Sequence, residues 1–144
     1  MPRRRDDPYL NFNFLLEIDG VESAGFRDVE LPEGRIDAVE YREGADRTSV
    51  ARKLPGRVEY GPLVLRRGFA GNDDLYQWWE GMVQGNIVRR TVAVVLLDEE
   101  RQEVARWLLR RAWPSKLQAG DLHALGNEVV IETLELTHEG FELA

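Results

Sequence analysis

Period-two alternation of apolar and polar residues recurs along this chain and leaves few options other than a layered β fold. Between Tyr9 and Asp19, the residues Leu10, Phe12, Phe14, Leu16 and Ile18 fall on one face of an extended strand. Asn11, Asn13, Glu17 and Asp19 fall on the other. One face meets a core; the other meets solvent or a partner. The closing stretch, Asn127 to Phe141, repeats the pattern. Val130, Leu134 and Leu136 line one side, and Thr133, Glu135, Thr137 and Glu139 the other. Glu132 takes the apolar side unless a bulge resets the register, and both registers remain open.

Asp19-Gly20 is a hairpin signal, because both residues tolerate positive φ. A second strand is expected from Val21 to Leu31, closed by Pro32-Glu33-Gly34. Arg35 to Glu43 alternates weakly, with Ile36 and Ala38 against Val39 and Tyr41. The stretch 44–56 is polar, lacks a period and ends in Pro55-Gly56. It reads as a long exposed loop or hairpin tip, and connections of this length are usually functional. A surface loop and an intersubunit arm are equally compatible with it. Arg57 to Arg67 reads as a strand interrupted at Gly61-Pro62, since proline inside a strand marks an edge or a bulge.

One helix is expected, over 73–84. Asn72 or Asp73 can cap it, and Leu75, Trp78, Trp79 and Met82 share one face. Gly85 is the expected stop. Thr91 to Asp98 is nearly all apolar, as in a strand covered on both faces. Asp98-Glu99-Glu100-Arg101 turns the chain, and Glu103 to Trp113 returns as its hairpin partner. Pro114 to Gly126 reads as loop. Six or seven strands with one inserted helix predict a single mainly β domain over 1–144: a β-sandwich or partly closed barrel with the helix on its flank.

The 144 residues carry a net charge of −7 and no cysteine. Disulfide and thiolate chemistry are excluded. The acidic balance argues against a duplex-DNA clamp, and leaves open a passage through which a polyanion slides without adhering. No apolar run approaches a membrane span, and no apolar stretch follows Met1-Pro2-Arg3-Arg4-Arg5, so no signal peptide is expected. Residues 1–8 form a polar arm, either solvated or ordered against a neighbour.

No catalytic set emerges. His123 and His138 lack zinc-type spacing. Ser23, Ser49 and Ser115 sit in no nucleophile motif, and no phosphate loop is present. Asp73-Asp74 is explained by helix capping, Glu99-Glu100 by a solvated turn, and Glu132, Glu135 and Glu139 by an exposed strand face. Trp78 and Trp79 project about 100° apart on a helix, so packing accounts for them better than a sugar-stacking platform. No metal, cofactor or enzymatic activity is expected.

Three blocks carry a resemblance. The first is Leu65-Arg66-Arg67-Gly68 with Leu75-Tyr76-Gln77-Trp78. The second is Val94 to Glu99, Val104-Ala105-Arg106-Trp107 and Ala112-Trp113-Pro114-Ser115-Lys116. The third is Asn127 to Gly140. In this order they resemble the inner tube protein family of contractile phage tails, pyocin-like particles and extracellular contractile injection systems. The resemblance implies a β-sandwich-like barrel with one helix, assembled into six-fold rings around a continuous inner β-barrel. Rings stack into a tube inside a contractile sheath, between baseplate and cap proteins, and the lumen conducts protein effectors or DNA.

It further implies that the loop 44–56 reaches an adjacent ring, which assigns inter-ring contacts to Arg42, Glu43, Asp46, Arg47, Arg52 and Lys53. Asp28, Glu30, Glu132 and Glu135 are assigned to the lumen. Arg106 and Arg110 are assigned to a subunit seam, paired with acidic neighbours. Assembly in the cytoplasm and release in an extracellular or virion particle are expected, with a headless injector favoured over a virion. The competing readings are a baseplate-proximal tube initiator, a type VI-like secretion tube protein and a carbohydrate-binding β-sandwich.

Overall fold

The computed structural model describes residues 13–23, 26–42, 44, 51–68, 74–122, 124–126 and 129–144. The arm 1–8, the start of the first strand, the capping residues Asn72 and Asp73, and His123 lie outside them.

The elements follow the alternation. β1 (Phe14–Ile18) and β2 (Val21–Ser23) form a hairpin whose turn, Asp19-Gly20, takes φ of 51° and 81°. Both central residues are left-handed, which matches the right-handed twist of the flanking strands. The expected second strand is split: β3 (Phe26–Glu30) is a separate strand that pairs with β6 (Leu63–Gly68), not with β1. α1 (Asp74–Val83) ends at Gly85, φ 91°, whose N–H donates to Met82 O at 3.1 Å. Leu75 and Trp78 are buried, and Trp78 Nε1 donates to Val88 O at 2.8 Å. That bond satisfies the indole where it packs, so Trp78 belongs to the core.

β7 (Arg90–Leu97) pairs with β1 on one side and β8 (Glu103–Gln118) on the other. Val92 through Val95 are all buried, as the apolar run demands. Val92 and Val94 enter the core, whereas Ala93 and Val95 face outward beneath charged side chains.

β8 overturns the expected loop after Trp113. It continues through Pro114 to Gln118, and Pro114 is fully buried. Its first part pairs with β7 and with β10 (Gly140–Leu143); its last part pairs with β9 (Ile131–Thr137). The change of sheet falls between Ala112, still paired with β7, and Trp113, paired with β9; just before it Arg111 sits at φ 52°, with its Nε 2.7 Å from Glu139 Oε2. A proline is tolerated because the register shifts between Pro114 and Lys116.

Two layers result: β2-β1-β7-β8-β10, and β8-β9-β6-β3, with β8 bending through both. Between them lie Leu16, Leu63, Leu65, Val92, Val94, Leu109, Leu134 and Leu136, with α1 closing one flank. Burying each such leucine contributes about 2 kcal/mol.

β4 (Gly34–Tyr41) and β5 (Arg52–Tyr60) stand apart as a two-stranded sheet. Part of the stretch expected as loop, from Arg52 on, is therefore strand. None of its residues enters the core cluster.

Candidate assembly surface

The layer β8-β9-β6-β3 carries the polar face that the sequence foreshadowed. Cross-strand register places Glu30, Val64, Glu135 and Lys116 in one row across four strands. Asp28, Arg66, Thr133 and Gln118 form the next. Three of the four residues assigned to a lumen thus share this face: Asp28, Glu30 and Glu135. They do not stand alone. Arg66 Nη1 lies 3.4 Å from Glu30 Oε2, and Lys116 Nζ lies 3.2 Å from Glu135 Oε2.

Glu132 does not belong to this set. No bulge intervenes between Glu132 and Leu136, so it shares the inward parity of Leu134 and Leu136. It is 8% exposed, and Arg67 Nη2, on a side chain equally buried, lies 3.5 Å from its Oε1. Arg67 is also 5.8 Å from the centre of the Phe26 ring, over its face. A carboxylate held inside the sandwich by a cation cannot line a channel, which corrects the lumen assignment for this residue. Arg67 shares the parity of Leu63 and Leu65, so the pairing was visible in principle.

Arg106 is likewise engaged within its own chain. Its Nη1 donates to Glu17 Oε2 at 2.6 Å, reaching diagonally over β7, and its Nη2 donates to Glu103 Oε1 at 2.8 Å. The side chain thereby roofs Ala93 and Val95. The Arg106 hydrogen bond holds the Glu103 carboxyl below its ordinary value, with burial opposing and the guanidinium charge assisting. Bonds to Glu103 and Glu17 in turn raise Arg106. Arg110 pairs with Glu142 of the same chain.

A depressed carboxylate contributes stability above its unfolded pKa and loses it as pH falls through the folded one. The unfolding free-energy difference between wild type and Glu103→Gln should hold steady above the ordinary glutamate pKa and shrink as pH falls below it. Because Glu103 is 46% exposed, that difference stays below about 1 kcal/mol. Urea titrations across this range check it; a difference independent of pH counts against the pairing.

Of the assigned inter-ring residues, Arg42, Arg52 and Lys53 are exposed, and Arg52 and Lys53 lie on β5 opposite Tyr41 and Glu40. Glu43, Asp46 and Arg47 lie outside the described residues. No group of three metal-ligating side chains occurs among the described residues.

What the residue pattern by itself does not locate is a pair of open edges. Among the described residues, β3 pairs only with β6, and the Trp113–Gln118 part of β8 pairs only with β9. The four-stranded layer therefore ends in an unpaired strand at each side. Unpaired edges of this kind recruit further strands unless they are covered.

The model of the T4-like virus tail tube protein gp19 family matches residues 10–142. The chain belongs to this family. No curated protein matches it in sequence. Among solved structures, it is similar to a chain from the anti-feeding prophage baseplate, 6-fold symmetrised, at 26% identity and TM-score 0.87, covering 97% of each chain. A chain from the sheath-tube complex of the PVC extracellular contractile injection system, in its extended state, shares the fold at TM-score 0.85 and 19% identity, over 96% of this chain and 93% of that one. Hcp1 from Flavobacterium johnsoniae shares it more distantly, with TM-score 0.57 and 14% identity over 90% and 93% of the two chains. The carbohydrate-binding reading gains nothing from these relatives.

Proposed function

We propose that this chain is the inner tube subunit of a contractile injection particle, a structural and not a catalytic component. It closes side by side with five further copies into a ring, and the rings stack into a conduit. The observation that carries this is the pair of open edges. Strands β8, β9, β6 and β3 alternate in direction, so an even number separates the two edges. The β3 edge of one copy then meets the β8 edge of the next antiparallel, and each addition repeats the same junction. Such a heterologous contact closes a ring when the rotation allows. The six-fold symmetry of the anti-feeding prophage relative sets the expected number.

In this arrangement the rows Glu30–Val64–Glu135–Lys116 and Asp28–Arg66–Thr133–Gln118 line the lumen. Three acidic and two basic side chains per copy leave it mildly negative, so acidic cargo slides without adhering. Arg110 lies beside β10 in the outer sheet, and its exposed pairing with Glu142 can be exchanged for an acidic group of a neighbour. A sheath, a baseplate and a cap are the further partners, as in the particles that contain the relatives. Assembly in the cytoplasm precedes release in an extracellular particle or virion.

Purified protein should show annular, six-fold particles and stacks of them by negative-stain electron microscopy. A monomer at high concentration overturns the reading. The 26% match to a baseplate chain favours a tube initiator as the second reading. That protein would stop at single rings, because only one of its faces stacks.

A further inference from the structure

The two layers do not close on each other along the side of β3. They leave a groove there of about 680 Å³. Phe14, Leu96 and Trp107 of the outer layer form its floor, facing Val29 of β3 and Leu31 just after it. Phe14 and Leu96 share the inward parity of Leu16 and Val94, which belong to the core cluster, yet both remain half-exposed. Apolar side chains of both layers thus border a space that no described residue fills.

Five consecutive residues, Arg27 to Leu31, line this groove. Successive residues of a strand point to opposite faces, so a groove that touches all of them opens along the strand's edge. It is the edge that β3 leaves unpaired among the described residues. The chain also enters the sandwich here, since Phe14 is the first residue of β1. Asn13 O accepts from the Leu97 N–H at 2.8 Å, and Asn13 Nδ2 donates to Asp98 O at 3.3 Å. These bonds hold Asn13 at the end of β7, where Asp98 Oδ1 accepts from the Glu100 and Gln102 N–H groups and turns the chain away. The residues before Asn13 therefore have no further length of β7 to follow. Leu10 and Phe12 keep the parity of Phe14, and a strand of that length reaches about 14 Å from it at most.

We propose that residues 1–12 dock into this groove within their own chain and cover the β3 edge in the free subunit, so that ring closure must displace them. Leu10 and Phe12 supply the apolar side chains that the floor lacks. Arg3, Arg4 and Arg5 meet an edge that carries Asp28 and Glu30, whose own pairings with Arg27 and Arg66 are solvent-exposed. A tether this short holds the segment at roughly millimolar effective concentration, so it outcompetes a second copy while the subunit is dilute. An edge left bare in a dilute subunit would pair with any available strand. The docking stands by itself; its effect on assembly rests on the tube reading.

The test compares wild type with Leu10→Ser/Phe12→Ser, first as dilute monomers by hydrogen exchange. Amides of residues 27–31 should exchange roughly tenfold faster in the variant, while those of the buried strand β7 keep their protection. Sedimentation velocity over a concentration series should then show rings of the variant at a concentration roughly tenfold lower than for wild type. Should the double variant melt far below wild type, deletion of residues 2–10, which leaves Phe12 in place, carries the same comparison. Equal exchange at residues 27–31 overturns the docking. Faster exchange with an unchanged or higher threshold for rings overturns the guarding role, because the segment then contributes nothing to the edge contact or takes part in it. A wild type and variants that form no rings at any concentration overturn the tube reading, and the exchange result still decides the docking.

Discussion

Replacing Glu132 by alanine should destabilise the protein by about 3 kcal/mol, one of the largest effects available to a single charged side chain here. Arg67 is 7% exposed and Glu132 8%. Removing the carboxylate leaves a guanidinium inside the sandwich with less compensation, and the Phe26 ring offsets only part of the loss. For a domain of this size, the melting temperature should fall by about 10 °C. Glu132→Gln retains a hydrogen-bond acceptor and should cost roughly half as much. The double variant Arg67→Met/Glu132→Leu should recover to within about 1 kcal/mol of wild type, since well-packed apolar residues can replace a buried pair. Urea denaturation of all three variants decides the matter. Unchanged stability in Glu132→Ala would mean that the pair contributes nothing to the fold.

That pair also shows where sequence reading ran short. The parity of Glu132 placed it on the apolar side, and Arg67 lies two residues past Leu65 on the same parity. Neither could be trusted separately, because a single bulge reverses parity and the chain has several. The register shift between Phe26 and Asp28 leaves no local signature, and the one between Pro114 and Lys116 is marked only by a proline that equally reads as a strand end. Pro114 misled in the same way. A proline after an aromatic residue reads as the end of a strand, yet it lies buried within β8 at the place where the strand changes layers. The bend is encoded at Arg111, whose left-handed backbone no residue-type rule foretells.

Elements governed by local chemistry were legible. Asp19-Gly20 demands its turn, Gly85 its helix stop, and the run Val92 to Val95 its double coverage. The lumen rows were half legible. Asp28, Glu30 and Glu135 stand out as polar strand residues, whereas the matching Arg66 and Lys116 emerge only once cross-strand register is known. The open edges could not be read at all, because they are defined by which strand does not pair. Assembly surfaces of this kind are properties of topology, and only the family resemblance reached them from the sequence.

Removing the β4–β5 hairpin should separate folding from assembly. Gly34 and Tyr60 are directly paired, so an Asn-Gly dipeptide in place of residues 35–59 closes a two-residue hairpin at the root. The Gly61 to Glu33 bond and the contacts of Tyr60 with Phe141 and His138 remain. No residue of β4 or β5 enters the core cluster, so the leucine layer between the sheets is untouched. The truncated chain should therefore melt within about 5 °C of the dissociated wild-type subunit, a shift of roughly 1 to 2 kcal/mol. Its β3 and β8 edges are still present, but the exposed apolar side chains Ile36, Val39, Leu54 and Val58 are gone. Strand pairing alone gives little net free energy, since each backbone bond replaces bonds to water at a gain of only about 1 kcal/mol. Association should accordingly fall by several orders of magnitude, and the protein should sediment as a monomer at concentrations where wild type forms rings. A truncated chain that still assembles into tubes would show that the edges suffice and that the hairpin serves another purpose. One that fails to fold would show that the sandwich depends on the ribbon, contrary to its packing.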